Sequence, residues 1–193
     1  MKDFKTKYDI ILGSQSPRRK ELLSGLDIDF SVCTLPDIDE SYPETLQGGD
    51  IPLFISAKKA DAFRTMLQER TLLITADTIV WLSNRVYGKP VDEADAISML
   101  KDLSGHTHEV FTGVTLTTIQ KQKSFVVSTK VTFASLSDEE IYSYVTNYQP
   151  YDKAGAYGIQ EWIGYIGVES ISGSYFNVMG LPIQRLYREL LIF

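Results

Sequence analysis

Ile10-Ile11-Leu12-Gly13-Ser14-Gln15-Ser16-Pro17-Arg18-Arg19-Lys20-Glu21-Leu22-Leu23 decides how the rest of this chain is read. The apolar run from Tyr8 to Leu12 predicts a short buried strand. A small polar loop follows, and Ser16-Pro17 opens an amphipathic segment that Gly25 closes. Ser16 is a good N-cap, and Pro17 suits the first helical position because its missing N–H would have no intrahelical partner there. A strand, a loop and a helix start place free backbone donors and the positive end of the helix dipole in the loop, beside two guanidinium forks, Arg18 and Arg19. Without a ligand, arginines near a positive dipole end cost a little stability, so an anion site, for a phosphate chain, is the better reading. It is not a Walker loop, because the Gly-Lys-Ser/Thr ending is absent.

Outward from this stretch, 193 residues suit one core, with room for a cleft that pinches it into two lobes. The 44% hydrophobic and 23% charged content is that of an ordinary globular chain. A net charge of -6 argues against a non-specific nucleic-acid binder, so a polyanionic substrate needs local basic residues or a metal. Cys33 is the lone cysteine, which excludes an internal disulfide and points to a reducing compartment. Met1-Lys2-Asp3-Phe4-Lys5 leads into no signal-like apolar region, and no apolar stretch approaches the ~20 residues that span a bilayer, so a cytoplasmic protein without membrane partners is expected. With His106, His108 and Cys33 as the nitrogen and sulfur donors, oxygen ligands and hence magnesium or manganese are favoured over zinc.

Further along, Ile28 to Thr34 predicts a second strand that runs into Leu35-Pro36-Asp37-Ile38-Asp39-Glu40, a loop that gathers negative charge. Carboxylates beside an anion site need a cation between them, which makes Asp39 and Glu40 candidate metal ligands, although taken alone a solvated acidic loop is the better reading of them. Pro52 to Glu69 predicts a helix in which Lys59 shares a stripe with Ile55, Ala62 and Met66 and its head can reach over the helix edge. Leu72 to Ala76 predicts a buried strand with Asp77 at its carboxyl end, where ligands collect in α/β sheets. A buried Asp needs a metal, a cation or a water to act on. A hairpin is expected around Ser83-Asn84-Arg85, and Gly88-Lys89-Pro90 presents one ammonium. Asp92 caps a helix through Leu103, and two strands follow, His108 to Ile119 and Phe125 to Ala134. If the first begins early, His106 and His108 point the same way, as structural or hydrogen-bonding residues. Ser137 with Glu140 forms a capping box for a helix to about Asn147. The small residues of Asp152 to Gln160 suit a loop lying close to a ligand or another backbone, with Gln160 equipped to read a base edge. A terminal helix turns Ile183, Leu186, Tyr187 and Leu190 inward.

Taken together, the chain resembles the Maf family of nucleoside triphosphate pyrophosphatases. The matching blocks are Ser14 to Leu23, Asp39-Glu40, Lys59-Ala60, Ala76 to Thr78, Gly88 to Pro90, Leu103 to Val110, Asp152 to Gln160 and Gly173 to Pro182, in order over nearly the whole chain. The resemblance implies one α/β domain over residues 1–193, elongated and two-lobed, with a twisted mixed sheet, flanking helices and a central cleft, as in the inosine triphosphate pyrophosphatases. It implies hydrolysis of a nucleoside triphosphate between its α and β phosphates with a divalent metal, magnesium or manganese. Asp77 would accept the proton of the attacking water or ligate the metal, Glu40 would hold the metal, and Lys59 and Lys89 would join Ser14, Ser16, Arg18 and Arg19 on the phosphates. Arg18, Arg19, Thr78 and Gln160 resemble the specificity set of a dTTP/UTP branch, rather than that of the 7-methyl-GTP branch. Glu161-Trp162 replaces a more usual glycine and bears on the base pocket. A homodimer is implied in the same way, and a non-catalytic nucleotide sensor linked to division arrest is the alternative from outside enzymology.

Overall fold

The computed structural model describes residues 7–193, so the Met1–Lys5 segment read for a leader lies outside the described residues. The fold is mixed α/β, with a seven-stranded sheet and flanking helices. In chain order the elements are β1 (Asp9–Leu12), α1 (Pro17–Ser24), β2 (Phe30–Val32), α2 (Asp50–Ala62), a 3₁₀ turn (Arg64–Met66), β3 (Thr71–Leu82), β4 (Arg85–Tyr87), α3 (Glu93–Leu103), β5 (Thr107–Thr117) and β6 (Gln122–Phe133). There follow α4 (Asp138–Tyr148), a 3₁₀ turn (Ala154–Ala156), α5 (Trp162–Gly167), β7 (Val168–Ser172), α6 (Tyr175–Met179) and α7 (Ile183–Ile192). Strand order is β2-β1-β3-β5-β6-β7, with β4 hydrogen-bonded to β3. β1 runs parallel to both β2 and β3, while β4 on β3 and β7 on β6 are antiparallel.

Two compact units share this chain. One comprises the described residues through Asp77 with Thr112–Val127 and Gly180–Phe193; the other comprises Thr78–Phe111 and Ser128–Met179. In the first, Leu12, Leu72, Leu73 and Ile74 of the parallel strands are fully buried. Ala60 and Phe63 pack on Leu73, with Ile11, Cys33, Leu35, Ile38 and Leu67 around them. Each such aliphatic side chain contributes roughly 1.5–3 kcal/mol by leaving water. α2 is set on the sheet by hydroxyls as well. Thr75 Oγ1 donates to the Ser56 carbonyl at 2.7 Å, and the Ser56 and Thr115 hydroxyls lie 2.9 Å apart. Gly113 of β5 meets the start of α2 so closely that a Cβ there would stand 2.3 Å from the Pro52 carbonyl oxygen. In the second unit, Phe133, Leu100, Leu103, Ile141 and Tyr144 form the buried set.

Local signals place most elements where the sequence does. Ser16 caps α1 by accepting from the Arg19 N–H, Pro17 sits in its first turn, and Gly25 ends it. Asp92 accepts from the Asp95 N–H at 2.8 Å to start α3, and Ser137 and Glu140 form the capping box of α4. Ser83 and Asn84, with φ of 50° and 61°, make the left-handed two-residue hairpin turn whose twist suits β3 and β4.

Four expectations need correction. β2 is three residues long, not the whole of Ile28 to Thr34. α2 ends at Ala62 rather than Glu69, because Phe63 turns inward to 2% exposure against Ala60 and Leu73, and the chain tightens into a 3₁₀ turn. Asp77 is not at the end of its strand. β3 continues five residues past it, since Val80, Trp81 and Leu82 pair with Tyr87, Val86 and Arg85 of β4. The strand that ends nearby is β1, whose last pair is Leu12 with Ile74, followed by the Gly13 N–H donating to the Ile74 carbonyl. His106 and His108 do not share a face: β5 begins at Thr107, His106 is exposed with its Nδ1 2.8 Å from the Ser104 carbonyl, and His108 is 1% exposed. α5, over Trp162–Gly167, was not foreseen in the sequence.

Candidate active site

The first unit gathers most of the expected site around one ammonium group. Lys59 leaves the last turn of α2 and its Nζ lies 2.7 Å from Asp77 Oδ1 and 2.9 Å from Glu40 Oε1. Asp77 is 7% exposed and Lys59 nearly as buried, so each charge needs the other. The expected stripe does not form, because Ala62 is exposed and Met66 lies beyond the helix; instead, a helix bound to the sheet through Ser56 aims Lys59, one turn later, at Asp77.

Arg19 is held differently from the expectation of two open phosphate forks. Its Nε donates to the Gly180 carbonyl and its Nη1 to the Ala76 carbonyl, both at 2.9 Å, with the Ser14 hydroxyl 3.5 Å from Nη1. It thereby braces the first turn of α1 against the residue before Asp77 and against the start of the C-terminal segment. Burial pushes its guanidinium pKa down, while the Asp77 carboxylate pulls it up and Arg18 pushes it down again. The mild cost of an arginine near a helix N-terminus is thus offset by carbonyl oxygens as well as by anions. Ser14 Oγ also accepts from the Ser16 N–H at 3.2 Å, which folds the loop before α1 into a compact turn. Arg18 is half-buried at the second helical position.

Asp39 and Glu40, equivalent as candidate ligands in the sequence, have separate tasks. Asp39 accepts from the Ser41 N–H at 2.9 Å and the Ser41 hydroxyl at 2.8 Å, and Lys58 Nζ sits 2.6 Å from its second oxygen. Lys58 also donates to the Ser41 carbonyl at 2.9 Å. These hydrogen bonds, that from Lys58 first, hold the Asp39 carboxyl at a pKa of about 2. Asp39 is a loop clamp, and its neighbour Glu40 is the one presented to Lys59. Lys58, adjacent to Lys59 on α2, is the residue that closes this loop onto the helix. The signal available was Asp39 two residues before Ser41, the spacing of an Asx turn.

Thr78, Lys89 and Gln160 belong to the second unit. Thr78 directly follows Asp77 on β3 and is half-buried, and Lys89 is exposed on its loop. The Gln160 Oε1 is buried with no hydrogen-bond partner among the described residues. The loop that carries it does lie close to other chain segments. Gly155, at φ 68°, leaves no room for a Cβ, which would stand 2.9 Å from Val80 Cγ2, and its N–H donates to the Gly88 carbonyl at 2.9 Å.

Among the described residues no group of three or more His, Cys, Asp or Glu is placed to hold a metal on protein ligands alone. Glu40 and Asp77 nonetheless converge on a single cation, the Lys59 ammonium. Two carboxylates meeting at one positive centre are a donor set that fits a hard divalent cation, an ion that takes oxygen ligands. No described helix is long and apolar enough to cross a membrane.

This arrangement, a parallel β1–β3 pair followed by a capped helix, with basic side chains and two carboxylates converging beside it, is that of an α/β protein with a polar, charge-paired site. Residues 9–193 match the family described as Maf-like protein, and the chain belongs to that family. A relative from Bacteroides fragilis called dTTP/UTP pyrophosphatase is 63% identical over 184 residues, covering 95% of each chain. One of the same name from Bacteroides thetaiotaomicron is 64% identical over the same length and coverage. The solved structure of a HAM1 protein from Coxiella burnetii is similar in fold, with a TM-score of 0.51 at 14% identity over 96% of this chain and 100% of that one.

Proposed function

We propose that this protein is a nucleoside triphosphate pyrophosphatase that hydrolyses dTTP and UTP, and modified pyrimidine nucleotides like them, to the monophosphate and pyrophosphate. The observation that carries the reading is the meeting of Glu40 and Asp77 at Lys59 Nζ beside the first turn of α1. The names of the full-length relatives support the substrate class. Glu40 and Asp77 would hold a divalent magnesium or manganese ion, which when bound supplies charge neutralisation for the phosphate chain.

In this reading Asp77 takes the proton of the water that attacks the α phosphorus, and Lys59 holds the carboxylate in place while sharing its charge. Ser14, Ser16 and the α1 N-terminus offer polar groups to phosphate oxygens, and Arg18, Arg19 and Lys89 offset the charge of the pyrophosphate leaving group. Gln160 and Thr78 select the base. Uracil and thymine present an imide N–H between two carbonyl oxygens, and a glutamine amide can accept from the N–H and donate to one of the flanking oxygens. The unpartnered Gln160 Oε1 supports that assignment. A cytoplasmic location and a homodimer belong to the same reading and rest on resemblance; cell fractionation and light scattering check them.

The test is pyrophosphate release from dTTP, UTP, CTP, GTP and 7-methyl-GTP with magnesium or manganese. dTTP and UTP are expected to turn over fastest, and Asp77→Asn to lose about 10²–10⁴-fold in kcat while remaining folded. Preference for 7-methyl-GTP overturns the branch assignment. Binding without turnover overturns the enzyme reading in favour of a sensor.

A further inference from the structure

Glu161, next to Gln160 in sequence, is a carboxylate to which the structure gives specific work. It occupies the N-cap position of α5 without capping it, because its side chain turns the other way. Oε2 accepts from the Tyr144 hydroxyl, and Oε1 lies 3.1 Å from Lys153 Nζ. The same Tyr144 hydroxyl accepts from the Gly158 N–H at 3.0 Å, and the Glu161 N–H donates to the Gly158 carbonyl at 2.9 Å. Gly158, Ile159, Gln160 and Glu161 therefore form a turn tied at both ends to one tyrosine and one carboxylate. The carboxylate lies flat on that turn: a Cβ at Gly158 would stand 2.7 Å from Glu161 Cδ. α5 backs it, with Gly164 so close that a Cβ would sit 1.9 Å from the Ile159 carbonyl oxygen.

The partners are built for permanence. Tyr144 is fully buried and Lys153 is 8% exposed. Burial, with Glu161 beside it, pushes Tyr144 up, so its hydroxyl stays a donor. Lys153 is shared between Glu161 and Asp152, whose Oδ1 is 2.7 Å away. The residue inside the turn is Gln160, whose Oε1 is buried and without a partner. A buried amide oxygen left unpaired is costly, and it is kept aimed only if the backbone beneath it cannot relax.

We infer that Glu161 is a positioning residue for base recognition: through Tyr144 and Lys153 it locks the Gly158–Glu161 turn and so fixes Gln160 for the pyrimidine edge. The inference rests on the proposed dTTP/UTP activity and on Gln160 as its base-reading residue. A carboxylate acting only through Gln160 has no effect of its own on the phosphate chemistry. Its loss acts on KM and on base preference rather than on kcat.

The experiment is a double-mutant cycle on the full-length protein, reading kcat and KM for UTP, dTTP and CTP, with thermal unfolding as a check of the fold. Glu161→Ala and Gln160→Ala are each expected to raise KM for UTP roughly tenfold, with kcat within about threefold of the parent. The double variant is expected to match Gln160→Ala alone. Tyr144→Phe, which cuts the same link with little change of volume, is expected to follow Glu161→Ala. Glu161→Gln, which keeps an acceptor for the Tyr144 hydroxyl, recovers most of the loss. Additive KM effects, or a lowered melting temperature with KM unchanged, overturn the inference while leaving the function standing. A parent protein that releases no pyrophosphate from dTTP or UTP overturns the underlying function instead.

Discussion

At the scale of single residues, two adjacent lysines and two adjacent carboxylates show how neighbours in sequence divide their work. Lys58 and Asp39 close a loop; Lys59 and Glu40 pair beside Asp77. The two pairs come from the same two elements, a loop and α2, so the first contact sets the distance at which the second is made. The Asp39 carboxyl, at a pKa of about 2, binds protons less readily than in the unfolded chain, where the ordinary value is about 3.9. The loop contact is therefore complete above pH 4 and is lost as pH falls toward 2. A carboxyl-carbon NMR titration is expected to place the Asp39 midpoint near 2, and Lys58→Met is expected to return most of it to the ordinary range, because the Lys58 hydrogen bond is the largest cause.

At the scale of elements, α2 is the piece whose placement matters most, since Lys58 and Lys59 ride on it. It is seated by Thr75 and Thr115 on either side of Ser56 and by the absence of a side chain at Gly113. Gly113→Ala must push α2 off β5, for the nearest atoms to a new Cβ are the Pro52 carbonyl and the Leu53 nitrogen, backbone that cannot rotate away. A loss of about 1–3 kcal/mol in a urea titration is expected, together with lowered activity. Ser137→Ala provides the control. It removes the capping box of α4 in the other unit and is expected to cost about 1 kcal/mol with kcat unchanged.

At the scale of the whole molecule, one buried imidazole adds its own acid sensitivity between pH 6.5 and 4. His108 packs edge-on to Phe133 and Tyr157, with ring centroids 5.1 and 5.5 Å away, and its Nε2 meets the Tyr157 hydroxyl at 2.8 Å. Its Nδ1 is buried and has no hydrogen-bond partner among the described residues. Burial lowers its pKa from 6.5 to about 4. The unfolded chain thus takes up a proton between pH 6.5 and 4 that the folded one refuses. Folding stability is full above about pH 6.5, declines by roughly 3 kcal/mol down to pH 4, and loses nothing further from this group below it. Denaturant midpoints measured across that window are expected to show the slope, and His108→Gln, uncharged throughout, to flatten it.

The sequence by itself determined what depends on local chemistry. Ser16-Pro17, Asp92 and the Ser137/Glu140 box fix helix starts because a cap is made within four residues, and Ser83-Asn84 fixes a hairpin because the turn needs left-handed backbone there. Ordered family blocks across the chain were equally legible, and with them the choice of Asp77, Glu40 and Lys59. Tertiary structure alone decided what each charge faces. Whether Asp39 or Glu40 meets Lys59, that Arg19 spends two donors on the Ala76 and Gly180 carbonyls, and that Glu161 turns to Tyr144 all depend on partners 17 to 161 positions away. Contacts of that range are set by how strands pair and helices seat, and no local pattern of residue types encodes them.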